Sequence, residues 1–310
     1  MRHAMSRITA IFIAVLTLPG IGAAGDKIPV FVSIAPQKYF VEKIGGERVS
    51  VQVLVQAGAN PATYEPKPRQ MADLSRARVY FAIGVPFEDI WLGRIAAANS
   101  EMEVVHMEQG IDRIPMTAHH HHDDNEDHQV VDGPHADGDH HPDRITAPHG
   151  LDPHIWLSPP LVKSQIRSIL ATLLAIDPLH QDAYEANYQR LVNDIDQLDN
   201  RLRQTFAGHR GLRFIVFHPA WGYFARTYGL DQVPIEIEGK TPKPSQLQAL
   251  IKFARKAGIR VVFVQPQFST KSAGSVAREI GGRVAFADPL AADWAANLTA
   301  VAESFKAALK

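Results

Sequence analysis

The 310-residue chain contains no cysteine. That absence excludes disulfides, zinc–thiolate sites, thiol nucleophiles and a lipidated N-terminal cysteine. Charge of one sign is missing too, since 32 Lys and Arg balance 33 Asp and Glu for a net of −1. Such a balance gives no electrostatic case for binding nucleic acid or an anionic membrane surface. Neither His-Glu-x-x-His nor Gly-x-Ser-x-Gly occurs. Both absences count against a zinc-dependent hydrolase, the main enzyme alternative. After the N-terminal segment, no apolar run approaches the roughly 18 residues that a membrane-spanning helix needs.

The N-terminal segment itself is apolar. Arg2 and Arg7 precede the run from Ile8 to Leu18, Pro19-Gly20 breaks it, and Gly22-Ala23-Ala24 offers small residues for cleavage. This is the layout of a secretory signal peptide over residues 1–24, and the run is short for a bilayer. Export, no cysteine and no anchor together point to a bacterial periplasm. The rest has the composition of a soluble globular protein, with 45% hydrophobic and 21% charged residues. Its length suffices for two domains, each burying its own core.

From Pro29 onward, β-branched runs alternate with helical patterns. Strands are expected at 30–34, 49–55, 79–83 and 103–106, with helices near 36–44, 68–76 and 88–98 between them. The second half repeats the alternation, with strands at 213–217, 233–237, 260–264 and 283–286 and a last helix near 293–309. Such alternation predicts an α/β fold of two β/α lobes, each with a mostly parallel four-stranded sheet. Between the lobes, helix is expected over 159–176 and then over 178–206. In the second of these, Tyr184, Tyr188, Leu191, Val192, Ile195, Leu198, Leu202 and Phe206 recur at steps of three and four. At ~1.5 Å per residue it would extend roughly 42 Å, a rigid strut joining the lobes. The expected boundaries are 25–177 for the first lobe, 178–207 for the connecting helix and 208–310 for the second lobe.

A tract at 117–149 interrupts the first lobe. It carries His119, His120, His121, His122, His128, His135, His140, His141 and His149 among acidic residues. Imidazole and carboxylate are donors that zinc and its first-row neighbours accept, so the tract reads as a metal-binding low-complexity loop. A purification tag would not continue into acidic sequence inside the chain.

Three further residues stand where ligands of open α/β sheets bind, beyond the carboxyl ends of strands or at a helix start. His218 follows the strand ending at Phe217, Asp288 follows Val284-Ala285-Phe286-Ala287, and His154 lies in Asp152-Pro153-His154-Ile155-Trp156-Leu157. Each alone is weak, because a lone histidine usually satisfies a hydrogen bond and an Asp after a strand often caps a helix. Together they are two imidazoles and a carboxylate, donors zinc accepts.

With these segments, the chain resembles the substrate-binding proteins of bacterial zinc and manganese ABC transporters, ZnuA-like and TroA-like. The likeness rests on the Gly58-to-Pro68 loop, Asp152-Pro153-His154-Ile155-Trp156-Leu157, Phe217-His218, Gly222-Tyr223-Phe224, Tyr228-Gly229-Leu230 and Asp288-Pro289-Leu290. It implies two β/α lobes joined by a long helix, with one divalent metal held between them by His154, His218 and Asp288. Zn2+ is the expected cargo, with Mn2+ or another first-row metal as the alternative. The implied partners are an ABC-transporter membrane permease and a periplasmic metallochaperone, and the implied state is a monomer.

One position departs from the family's pattern. Relatives place a histidine in a Pro-His-x-Tyr-Glu-like segment, where this chain has Pro61-Ala62-Thr63-Tyr64-Glu65. Three readings are open: water completes the site, a nearby Glu65, His106 or His149 substitutes, or the cleft no longer binds metal tightly. Rival functions are a periplasmic zinc buffer or chaperone without a transporter, and a haem, cobalamin or siderophore binder of similar architecture.

Overall fold

A computed structural model of the chain describes residues 26–116, 150–236, 240 and 242–308. The signal-peptide segment and the His-rich tract, with all nine of its histidines, lie outside the described residues.

The first lobe contains β1 (Ile28–Val32), α1 (Ala35–Gly45), β2 (Val49–Val53), α2 (Pro68–Leu74), β3 (Val79–Ala82), α3 (Pro86–Ala98) and β4 (Glu103–His106). Its strands pair in the order β2-β1-β3-β4, each pairing parallel. The second lobe contains β5 (Arg213–Val216), α6 (Gly222–Tyr228), β6 (Asp231–Pro234), α7 (Pro244–Lys256), β7 (Val261–Val264), α8 (Thr270–Glu279), β8 (Arg283–Phe286) and α9 (Trp294–Ala308). Its order is β6-β5-β7-β8, again all parallel. The two orders match position for position.

Between the lobes run α4 (Pro159–Ile176) and α5 (Gln181–Thr205). The expected strut is split at its start. Pro178 cannot donate a backbone hydrogen bond, and Asp177 accepts from the His180 ring at 2.8 Å and from the Tyr184 hydroxyl at 2.6 Å. These bonds fix a short turn of 3₁₀ helix at Pro178–His180 before α5 begins. The 25 residues of α5 extend roughly 37 Å. Its stripe of Tyr184, Leu191, Ile195, Leu198 and Leu202 is buried, and α5 packs against α1, α4 and α9. Each such side chain contributes about 1.5–3 kcal/mol by leaving water.

The expectation of a separate core for each lobe needs correction. One continuous apolar cluster takes Phe40, Phe81 and Trp156 together with Phe214, Trp221, Phe263 and Phe305. Among the described residues, a second cluster takes Ile215, Val262 and Val264 on the other side of the second sheet. The helix α5 packs against α1 of the first lobe and α9 of the second, and the lobes share that interior.

Two strands sit apart from their sequence ranges for local reasons. β1 ends at Val32 because Gln37 Oε1 accepts the N–H groups of Ser33 and Ile34 at 3.0 and 3.1 Å. β6 begins at Asp231, immediately after the left-handed turn at Gly229 (φ 71°) and Leu230. Pro234 is tolerated there because β6 is a sheet edge.

Candidate metal centre

Strand ends and one tight turn position the two site histidines. His154 initiates a single turn of 3₁₀ helix, Ile155–Leu157, whose three side chains are wholly buried. Asp152 Oδ1 accepts both the backbone N–H of His154, at 2.8 Å, and its Nδ1, at 2.7 Å. Asp152 is buried, and its other oxygen lies against Gly222, where a Cβ would meet Oδ2 at 3.0 Å. Glycine at 222 therefore lets the carboxylate sit under the imidazole.

His218 stands two residues past β5. Gln265 clamps its backbone, accepting the His218 N–H at 3.2 Å and donating to its carbonyl at 2.6 Å. The ring is flanked by Phe268, with centroids 5.1 Å apart and planes 23° apart. Glu236 continues the β6 ladder by donating its N–H to Phe217 O at 2.9 Å. That bond brings the Glu236 carboxylate to 3.2 and 3.3 Å from His218 Nδ1.

The two imidazoles come together across the cleft with centroids 5.3 Å apart and planes 68° apart. An ionised carboxylate only accepts, so each Nδ1 carries a proton toward its carboxylate. This carboxylate–histidine arrangement orients metal-binding imidazoles and raises their basicity. Burial holds the His154 pKa below the usual value, and the Asp152 charge only partly opposes that shift. His154 is consequently a neutral donor at neutral pH.

Asp288 lies two residues past β8. Its Oδ1 accepts from Leu290 N–H at 2.9 Å and from Gln267 Nε2 at 3.0 Å. Gln267 shares a cavity of about 60 Å³ with His154, His218 and Ala62. Among the described residues, no group of three or more His, Cys, Asp or Glu is gathered tightly enough to hold a metal ion. The structure thus brings the two histidines together and leaves Asp288 bonded to Gln267.

The candidates for the Ala62 position separate clearly. Ala62 is exposed and lines both the small cavity and an adjoining one of about 820 Å³. Glu65 is exposed and lines neither cavity. His106 ends β4, lines only the larger cavity and is bonded through Nδ1 to Glu108 at 2.8 Å. His149 lies outside the described residues.

Asp152, Glu236, Gln265 and Gln267 were not among the expected site residues. Asp152 and Glu236 left a trace in sequence, as lone charges beside apolar runs in Asp152-Pro153-His154-Ile155-Trp156 and Val233-Pro234-Ile235-Glu236. The two glutamines left none.

Side-chain bonds tie this region across the lobes. Trp156 Nε1 donates to Pro289 O and Trp294 Nε1 donates to Trp156 O, both at 2.7 Å. Tyr223 Oη accepts from Ile114 N at 3.1 Å and donates to Asp152 O at 3.0 Å.

This architecture is that of a two-lobed α/β binding protein. The family model described as "Zinc-uptake complex component A periplasmic" matches residues 30–308, and the chain belongs to that family. Its members are solute-binding proteins. A crystal structure of ZnuA superposes with a TM-score of 0.80 at 42% identity, covering 92% of this chain and 100% of that one. An internally deleted ZnuA solved with zinc bound gives a TM-score of 0.79, also at 42% identity, over 92% and 99% of the two chains. The high-affinity zinc uptake system protein ZnuA of Bacillus subtilis (strain 168) is 27% identical over 84% of this chain and 77% of its own length.

Proposed function

We propose that the protein captures a divalent metal ion, Zn2+ above others, and delivers it to an ABC-transporter permease for import. The single observation that carries this is the facing pair His154 and His218, each with Nδ1 engaged by a buried carboxylate. Family membership and the zinc-bound ZnuA structure support zinc as the cargo.

In this reading the ion sits between the two Nε2 atoms, and Asp288 adds a carboxylate oxygen. The protein acts in the periplasm as a monomer, exported through residues 1–24 and built as 25–177, 178–207 and 208–310. The tract at 117–149 collects metal through weak, exchanging contacts and passes it inward, and a periplasmic metallochaperone can feed it. The shared core favours small local movement on binding over wide closure of the lobes.

Competition titration with a chromophoric zinc chelator tests the reading, using protein deleted of 117–149 so that the tract cannot contribute. That protein should bind one equivalent of zinc, and the double variant H154A/H218A should not. Equal zinc binding by both proteins would refute the site.

A further inference from the structure

We propose that Gln267 supplies a carbonyl-oxygen ligand to the ion held by His154 and His218, with Asp288 fixing its orientation. The proposal rests on the metal-capture reading and deepens it.

The starting observation is an orphan. Gln267 Oε1 is shielded from solvent and has no hydrogen-bond partner. Buried acceptors are paired in nearly all native structures, and a bound ion or water is one way an exception is satisfied. The amide's orientation is not ambiguous here. Nε2 lies 3.0 Å from Asp288 Oδ1, and a carboxylate cannot donate, so the nitrogen faces Asp288 and the oxygen faces elsewhere.

The surroundings say what the oxygen awaits. Gln267 lines the cavity that also holds His154 and His218, and Ala62 lines it too. At about 60 Å³ that cavity equals the share of roughly two waters in the liquid. It admits an ion with a residual water. The two bonds to the Asp288 carboxylate both fall on Oδ1, so neither occupies Oδ2. Two imidazole nitrogens, one carboxylate oxygen and one amide oxygen then make a four-donor set, the number zinc prefers. Amide oxygen is a harder donor than imidazole and suits manganese better. Gln267 therefore softens the site's preference for zinc over manganese.

Neither Glu65 nor His106 lines this small cavity, whereas Gln267 does. The position that Ala62 leaves open is accordingly filled from the second lobe, by the loop after β7.

The test compares wild type with Q267M and Q267E. Three readouts are taken on each: zinc affinity by chelator competition, the ligand-field absorption of bound Co2+, and the melting temperature of the metal-free protein. Q267M should bind zinc about 10–100-fold more weakly and show an altered cobalt spectrum, with an unchanged metal-free melting temperature. Q267E loses the N–H that Asp288 accepts and sets two carboxylates side by side, so a charged ligand oxygen in place of the amide should alter the cobalt spectrum. Wild-type affinity and spectrum in Q267M would overturn the proposal. Should Q267M fail to fold, Q267E decides, because an unchanged cobalt spectrum there overturns it equally. Failure of the wild type itself to bind zinc would instead sink the capture reading.

Discussion

Replacing Asp152 separates what a buried carboxylate does for the fold from what it does for the metal. Its Oδ1 accepts two N–H groups of His154, one from the backbone at 2.8 Å and one from the ring at 2.7 Å. Only 3% of its side chain is exposed, so water cannot replace it. Asp152→Ala strands both donors, and a stranded buried donor costs about 1–3 kcal/mol. The metal-free protein should lose about 2–5 kcal/mol, which in a chain of this size lowers the melting temperature by roughly 5–15 °C. Asp152→Asn keeps an acceptor oxygen and removes only the charge. Its metal-free stability should stay within about 1 kcal/mol of wild type. Its zinc affinity should fall about 10–100-fold, or about 1.4–2.8 kcal/mol, because His154 loses the group that makes it basic. Differential scanning calorimetry and chelator competition on the same preparations read the two effects. If Asp152→Asn bound zinc as tightly as wild type, the carboxylate would be structural only.

Two other outcomes are expected. Trp156→Phe removes the donor to Pro289 O, leaving a buried carbonyl unpaired, and should destabilise the protein by about 1–3 kcal/mol in urea unfolding; unchanged stability would mean that this bond does not join the lobes. Glu88 should set a pH dependence of its own. Burial, helped by the charge of Glu108, raises its pKa from 4.5 to about 7, against the hydrogen bonds from Ser33, Ile83 and Gly84. The folded state therefore holds this proton more tightly than the unfolded chain, and the contribution is fully present below pH 4.5 and lost as pH rises through about 7. Relative to Glu88→Gln, wild type should lose stability across that window in denaturant titrations, and parallel profiles would refute the assignment.

Much of the framework was legible from one sequence because it follows local periodicity. β4, β8 and α4 fall on their expected residues, since each is a compact run with clear ends: Pro159 opens α4 and Asp177-Pro178 closes it. Strand ends governed by side-chain competition were not legible. Gln37 captures the N–H groups of Ser33 and Ile34 from four and three residues away, and no β-propensity encodes that. The polar pair Asp231-Gln232 gave no strand signal, yet register with Arg213 and Phe214 makes it the start of β6. The site divides the same way. His154 and His218 were readable because each stands beside a proline and an apolar run at an element boundary. Gln267 was not, because a glutamine in a loop carries no periodicity and its role depends on Asp288, 21 residues away.

By itself the sequence determined the class of chemistry and the architecture. The absence of cysteine, the balanced charge and the alternating β/α pattern fixed nitrogen and oxygen donors on a two-lobed parallel α/β frame. Local chain physics sufficed for that, because donor type and strand or helix period are properties of neighbouring residues. Tertiary structure decided which donors meet. It closed His154 and His218 to 5.3 Å between ring centroids, placed Asp152 and Glu236 behind them, and merged much of the two lobes' interiors into one core. The meeting of His154 with His218 depends on packing between segments about 60 residues apart, where side-chain volume and hydrogen-bond satisfaction act and sequence periodicity is silent.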